Sequence, residues 1–345
     1  MMDWISERMI YTKKACSIVS KSLEGEKVSV CFPLEYKTAF LIGELSKFLK
    51  LKVSRFDEAT TKEEAVKWLE KRRIRIEREE ECLDSTYFLD CVAVLTRMAS
   101  KRGKCVEGVV ELTRSGVERL REIENFGVFK RAISIDDSNI KGVGENVYGT
   151  GLGLLDALLR LNIQLPGKRV YIIGFGRVGQ GCASLLKKIG CEVEVFDRNS
   201  IKNSLASSMG FRVSDLEEGL SRADIVITAT GARGVINSSN AQLIRNGAIV
   251  CNMGAGEHEV DLRELNYEKK HLGPVSKFSG RNHFYVLANG KPATLAVGNG
   301  TPIEIMDKTF ALVVFALDYI VNRDFSGIMG TPEEIELKVA KLIEF

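Results

Sequence analysis

Residues 169–181, RVYIIGFGRVGQG, constrain the fold more than any other stretch of the chain. The apolar, β-branched run at 169–173 reads as a buried parallel strand. Gly174, Gly176 and Gly179 follow it in GxGxxG spacing, at the mouth of a helical pattern over 178–188. In such a turn Gly174 allows the tight bend, Gly176 lets backbone amides approach a pyrophosphate, and Gly179 lets the helix pack on the strand. The helix N-terminus adds partial positive charge, so a dinucleotide is the natural guest, with Phe175, Arg177 and Val178 as the loop's other candidate contacts.

The segment CEVEVFD at 191–197 reads as the next strand and ends in Asp197, 23 positions after Gly174. A carboxylate there accepts from the adenosine ribose hydroxyls and repels a 2′-phosphate, so NAD is the expected cofactor. Arg198 and Lys202 lie close enough to leave NADP open. The strand and helix rhythm continues, with apolar strands ending at Thr230 and Gly231 and at Asn252 and Gly254. Ligands of doubly wound sheets sit just past strand ends, which makes these four residues candidates for the nicotinamide half. Ordinary loop chemistry is the alternative for each.

A length of 345 residues suggests two domains, and 45% hydrophobic with 28% charged residues is ordinary for a soluble globular protein. A net charge of +3 is too small to argue for nucleic acid. The run EKRRIRIEREEE at 70–81 mixes signs without aromatics and reads as a solvated edge strand or turn. Eight cysteines are scattered without CxxC pairs and histidines number three, so no metal site is expected and the thiols read as small buried groups of a reducing compartment. The first 14 residues carry charges and no apolar core, unlike a signal peptide. The longest apolar stretch, 310–321, contains Asp318 and falls short of the ~20 residues a bilayer requires. A cytoplasmic protein with no membrane or nucleic-acid partner is expected.

Ahead of the glycine motif, a helical pattern over 1–24, a strand at 27–32, a helix at 37–49, strands within 51–56 and 86–96 and a helix at 61–71 make another α/β domain. Residues 108–120 read as the start of a helix after a turn. Residues 132–146, AISIDDSNIKGVGEN, are polar without helical period and read as a hinge or active-site loop. Helices are expected at 305–322 and 332–343, the first suited to a core or a subunit interface.

Five ordered stretches, DDSNIKGVGENVYGTG (136–151), GFGRVGQGCA (174–183), TATGARGVI (228–236), GAIVCNMG (247–254) and the turn Gly300-Thr301-Pro302, resemble the S-adenosylhomocysteine hydrolase family. The N-terminal third is similar only through Thr38-Ala39, Leu89-Asp90 and GVVELTRSGV at 108–117, which makes Thr113 a cofactor contact by resemblance. The resemblance implies a Rossmann-type doubly wound parallel sheet inserted in a second α/β substrate domain. The expected division is 1–140 for the N-terminal part of the substrate domain, 141–298 for the NAD-binding domain and 299–345 for helices returning to the substrate domain. It further implies tightly held NAD⁺ that oxidises a ribose 3′-hydroxyl, loss of homocysteine, addition of water and return of the hydride. Lys141 would meet the 3′-oxygen with Asn146 beside it, and Glu145 stands for an aspartate with one methylene more. The implied substrate is a nucleoside-like small molecule, and the implied assembly is a homo-oligomer, a dimer or tetramer, although the sequence reaches Phe345 without the family's basic, tyrosine-bearing tail.

Other family positions depart. Its histidines fall at Pro33, Ala255 and Thr301, its substrate-side aspartate at Val94 and its substrate glutamate at Leu112. Losing one placed acid or base costs about 10²- to 10⁴-fold in rate, so efficient hydrolysis of adenosylhomocysteine is not expected. Three readings follow: an NAD-dependent enzyme acting on a secondary alcohol or ketone of another small molecule, a working hydrolase with Glu35, Glu111 or His258 in the vacated roles, and a non-catalytic NAD-binding regulator.

Overall fold

The computed structural model of the protein describes residues 1–255 and 259–342. The chain divides into two compact units, one made of residues 1–145 and 303–345 and the other of residues 146–302.

The first unit is built on a parallel sheet. Its strands are β1 (Lys27–Cys31), β2 (Lys50–Ser54), β3 (Ile76–Glu77), β4 (Tyr87–Asp90), β5 (Val106–Glu111) and β6 (Phe129–Ser134), joined by the late strand Gly327–Gly330. From one edge the order is Gly327–Gly330, β6, β5, β4, β1, β2, β3, with every pairing parallel. The central strands are buried on both faces, which explains their near-continuous apolar sequence. The helix Ile303–Asn322 is buried almost all round, with Phe310, Leu312, Val313, Val314, Phe315 and Leu317 at 0–1% exposure, so it belongs to this unit's core. The short β3, inside the mixed-charge run, closes one edge.

Three details depart from the sequence reading. The N-terminal helical pattern is broken at Met9 into Met2–Arg8 and Ile10–Val19, and Asp307 caps the second helix by accepting from the Tyr11 and Thr12 amides at 2.8 and 2.7 Å. Residues 106–111 form β5, and the helix begins only at Arg114. The expected loop at 132–146 instead contains the end of β6 and a π-helix, Ile140–Gly149. A π-helix has no apolar repeat of 3.6, which is why the pattern looked irregular.

The second unit holds β7 (Arg169–Ile173), β8 (Glu192–Phe196), β9 (Arg212–Val213), β10 (Ile225–Thr228), β11 (Ile236–Asn237), β12 (Ile249–Asn252), β13 (Val260–Asp261), β14 (Glu268–Leu272), β15 (Val275–Ser279) and β16 (His283–Leu287). Its main sheet runs β14, β15, β16, β12, β10, β7, β8, β9, and β11 pairs with β13 separately. The six strands from β16 to β9 are parallel, a Rossmann-type core. The β14–β15–β16 meander is antiparallel and was not anticipated. Its outer strand, EKKHL, is exposed along its whole length, so no apolar run announced it.

Among the described residues, no helix is long and apolar enough to cross a membrane. Seven of the eight cysteines are buried, Cys105 is exposed, and none is in a disulfide.

Candidate functional site

The second unit carries a dinucleotide cradle. β7 delivers the chain to Gly174, whose φ of +103° suits glycine alone, and a Cβ there would stand 2.5 Å from the Ala229 carbonyl oxygen. A Cβ at Gly179 would lie 1.9 Å from the Gly174 oxygen, so this glycine sets the approach of helix Arg177–Lys188 to the turn. Gly176, the N-cap of that helix, differs: a Cβ there would meet nothing within 4 Å. The space over Gly176 is left for a ligand at a helix N-terminus, where a pyrophosphate fits.

The loop's other residues divide by role. Phe175 is fully buried with its ring edge-on to Phe211 at 5.7 Å, Val178 packs on the same core, and Arg177 is exposed in the first helical turn. Asp197, at the end of β8, accepts from the Phe175 amide at 2.7 Å and the Asn199 amide at 2.9 Å. It thereby ties the glycine turn to the end of β8. Lys202 Nζ lies 3.4 Å from Asp197, and Arg198 is exposed.

Across β7 from β8 stand β10 and β12. Asn252 spends its side chain on the protein, its Nδ2 donating to the Gly290 carbonyl at 2.9 Å and its Oδ1 accepting from the Gly254 amide at 2.8 Å. Thr230 and Gly231 both donate to Glu259, a residue the sequence reading passed over. Glu259 is fully buried, and burial pushes its carboxyl above the usual range. Gly254 is a glycine for the same reason, since a Cβ there would lie 1.9 Å from Glu259 Oε1. The available signal was an acid placed just before the apolar start of β13.

In the first unit, polar groups gather past the carboxyl ends of β1, β4, β5 and β6. After β1, Glu35 caps helix Tyr36–Leu45 by accepting from the Lys37 and Thr38 amides, and Lys37 Nζ pairs with it at 2.7 Å with both side chains buried. At the ends of β4 and β5, Asp90 and Glu111 are register neighbours and both fully buried. Asp90 accepts from the Cys91, Leu95 and Thr96 amides and the Thr96 hydroxyl. Glu111 accepts from the Val92, Ala93 and Thr113 amides and the Thr113 hydroxyl. Burial raises both carboxyls, Asp90 to about 6 and Glu111, with Asp90 beside it, to about 8.

Val92 and Ala93 both adopt left-handed backbone, with φ of 59° and 52°. This is costly for a β-branched residue, and it aims two amides at Glu111. Thr113 caps helix Arg114–Ile123. Its hydroxyl donates to Glu111 and accepts from the Gly116 and Val92 amides, so its full hydrogen-bonding capacity is used inside this unit.

After β6, the π-helix brings Lys141 and Glu145 together, with Nζ 2.8 Å from Oε1 and exposures of 3% and 8%. Glu145 Oε2 is buried without a hydrogen-bond partner among the described residues. Asn146 follows in the same helix, the first residue of the second unit.

Two of the departed positions, Leu112 and Val94, are apolar. Leu112 is buried in the core and Val94 opens helix Val94–Lys101. His258 lies outside the described residues. His271 contacts the Ser276 hydroxyl at 2.9 Å on the β14–β15 hairpin. Among the described residues, no cluster of three or more His, Cys, Asp or Glu could hold a metal ion.

Comparison with known proteins agrees with the cradle. The sequence model of the S-adenosyl-L-homocysteine hydrolase NAD binding domain matches residues 146–301. An adenosylhomocysteinase from Thermotoga maritima is 30% identical over 373 aligned positions, covering 99% of this chain and 92% of that protein. An S-inosyl-L-homocysteine hydrolase from Methanopyrus kandleri is 31% identical over 353 positions, 93% of this chain and 83% of that protein. An adenosylhomocysteinase from Archaeoglobus fulgidus is 34% identical over 247 positions, 69% of this chain and 61% of that protein. The chain belongs to the adenosylhomocysteinase family, and its second unit is that family's NAD-binding domain.

Proposed function

We propose that the protein is an NAD-dependent enzyme that oxidises or reduces a secondary alcohol or ketone on a nucleoside-like small molecule, with Lys141 and Glu145 beside the reacting oxygen. The observation that carries this reading is the buried Lys141–Glu145 pair, in which Glu145 Oε2 has no partner. An orphaned buried acceptor costs about 1–3 kcal/mol, and a substrate hydroxyl would satisfy it. Bound NAD⁺ supplies the hydride acceptor and returns the hydride. Glu145 would orient the hydroxyl and take its proton as the carbon is oxidised, and return it in the reverse direction. The Lys141 ammonium would stabilise negative charge developing on that oxygen.

Efficient adenosylhomocysteine hydrolysis is a weaker fit, because elimination and hydration call for further proton carriers and Leu112 and Val94 are not such groups. Full-length similarity to hydrolases of two thioethers, together with the buried Glu35–Lys37 pair after β1, favours a second reading, hydrolysis with substitute residues.

The test is to load the protein with NAD⁺ and follow absorbance at the reduced-nicotinamide band across a panel of nucleosides and their thioethers. Chromatography of the same mixtures detects released homocysteine. The first reading expects nicotinamide reduction without thioether cleavage, abolished in Lys141→Ala. Turnover that survives Lys141→Ala undiminished refutes it, and released homocysteine selects the second reading.

A further inference from the structure

Sheet order fixes which way a dinucleotide must lie. Asp197 at the end of β8 and the glycine turn after β7 take the ribose and pyrophosphate. The nicotinamide end would therefore reach the carboxyl ends of β10 and β12, on the other side of the point where strand order reverses.

Glu259 holds the turn after β10 and lies against Gly254 after β12. Its Oε1 accepts from the Gly231 amide at 2.7 Å and the Thr230 amide at 3.1 Å, and its Oε2 accepts from the Thr230 amide and hydroxyl, both at 3.1 Å. Every donor is electrically neutral. None of the described lysines, arginines or histidines forms an ion pair with this carboxylate, which differs in this from Glu35 and Glu145. Backbone amides can only donate, so both oxygens are held as acceptors. Its place is reserved at the expense of a side chain, since Gly254 leaves no room for a Cβ within 1.9 Å of Oε1. An ionised carboxylate held by dipoles alone, with no ion-pair partner among the described residues, keeps its field where water cannot screen it.

We propose that Glu259 tunes the cofactor: its uncompensated negative charge, at the strand ends that receive the nicotinamide, favours the positively charged oxidised ring over the neutral reduced one. Such a bias suits a reaction that begins with the cofactor oxidised and must end with it oxidised again. The inference rests on NAD binding by this unit but not on the identity of the substrate.

The experiment uses the full chain stripped of nucleotide and measures Kd for NAD⁺ and for NADH by calorimetry. Wild type is expected to bind NAD⁺ at least as tightly as NADH. Glu259→Gln keeps the shape and removes the charge, and is expected to shift the ratio of the two constants by at least tenfold toward NADH. Gly254→Ala keeps the charge but displaces the carboxylate, and is expected to shift the ratio the same way. A wild type that prefers NADH overturns the proposal without any variant. Equal weakening of both forms in Glu259→Gln also overturns it, since that is the signature of a structural prop. If wild type binds neither form, the nucleotide assignment falls first and the tuning role with it, a result distinct from loss of the ratio alone.

Discussion

Two of the cradle's three glycines, Gly176 and Gly179, are open to opposite perturbations by the same methyl group. In Gly179→Ala the new Cβ would lie 1.9 Å from the Gly174 oxygen and 2.9 Å from its carbon, so the helix must back away from the turn. Overpacking of this kind costs about 1–3 kcal/mol. The second unit spans 157 residues (146–302), and at about 2–4 °C per kcal/mol its melting point should fall by roughly 2–12 °C. In Gly176→Ala the methyl group meets no protein atom, and a backbone at φ −75° and ψ −172° is open to any residue. Alanine gains about 0.4–1 kcal/mol by restricting the unfolded chain and loses a similar amount as a poorer N-cap, so stability should stay within about 1 kcal/mol. Its effect falls on the ligand. Holding a pyrophosphate off one amide forfeits a charge-assisted hydrogen bond of about 1.5–3 kcal/mol, roughly a 10- to 150-fold loss of NAD⁺ affinity. Thermal unfolding without nucleotide and calorimetry with it separate the two effects. A Gly176→Ala protein that binds NAD⁺ like wild type, or one that melts as early as Gly179→Ala, refutes the assignment of that open space to a ligand.

Three further outcomes follow from the first unit. Lys141→Ala strands the Glu145 carboxylate in a buried site and should destabilise by about 3–5 kcal/mol, whereas Lys141→Ala with Glu145→Ala should recover part of it, as read by denaturant midpoints. Asp90 and Glu111 have folded-state pKa values of about 6 and about 8, above those of the unfolded chain. The folded state therefore binds the extra protons, so their contribution is full below about pH 4 and is lost as pH rises through 6 and then 8. Asp90→Asn should move the upper limb of this loss to lower pH, since Asp90 helps raise Glu111; an unchanged limb in denaturant titrations from pH 5 to 9 counts against the coupling. Gly116→Ala would place a Cβ 2.1–2.5 Å from the Glu111 carboxyl atoms and should release the Val92 and Ala93 amides, visible as faster hydrogen exchange at those two residues.

How much of this was legible in the sequence depended on whether a residue's role was local. The GxGxxG turn, its strand and Asp197 interact within some twenty residues, and their spacing is their geometry. The parallel strands announced themselves as apolar runs because both faces are covered. The β14–β15 hairpin gave no such signal, being exposed, and the π-helix hid behind a repeat that no usual pattern matches. Glu259 and Thr113 show the limit most clearly. The Thr230 and Gly231 amides are turned toward an acid nearly thirty residues downstream, a partner no local pattern marks. The Thr113 hydroxyl likewise serves Glu111, Gly116 and Val92. Such assignments are decided by tertiary hydrogen bonds, which leave no periodicity behind.

The same hydrogen bonds weigh on which residues could replace the family's missing acids and bases. Glu111 was one candidate, but three of its four donors meet Oε1 and the fourth, the Ala93 amide, holds Oε2. Those bonds maintain two left-handed residues that would otherwise cost about 1–3 kcal/mol each, so a substrate that drew on Glu111 would have to release that turn. Glu35 is similarly engaged, with two amides and the Lys37 ammonium on its oxygens. Of the three carboxylates Glu35, Glu111 and Glu145, Glu145 alone keeps an oxygen without a partner, and it sits on the lysine carried over by the resemblance. One available acid–base pair is enough to move a proton on and off a single oxygen, as alcohol oxidation and ketone reduction require. Elimination at a neighbouring carbon and addition of water need a second, separately placed group. The hydrogen-bond inventory of the first unit therefore supports the proposed redox reading over the hydrolytic one.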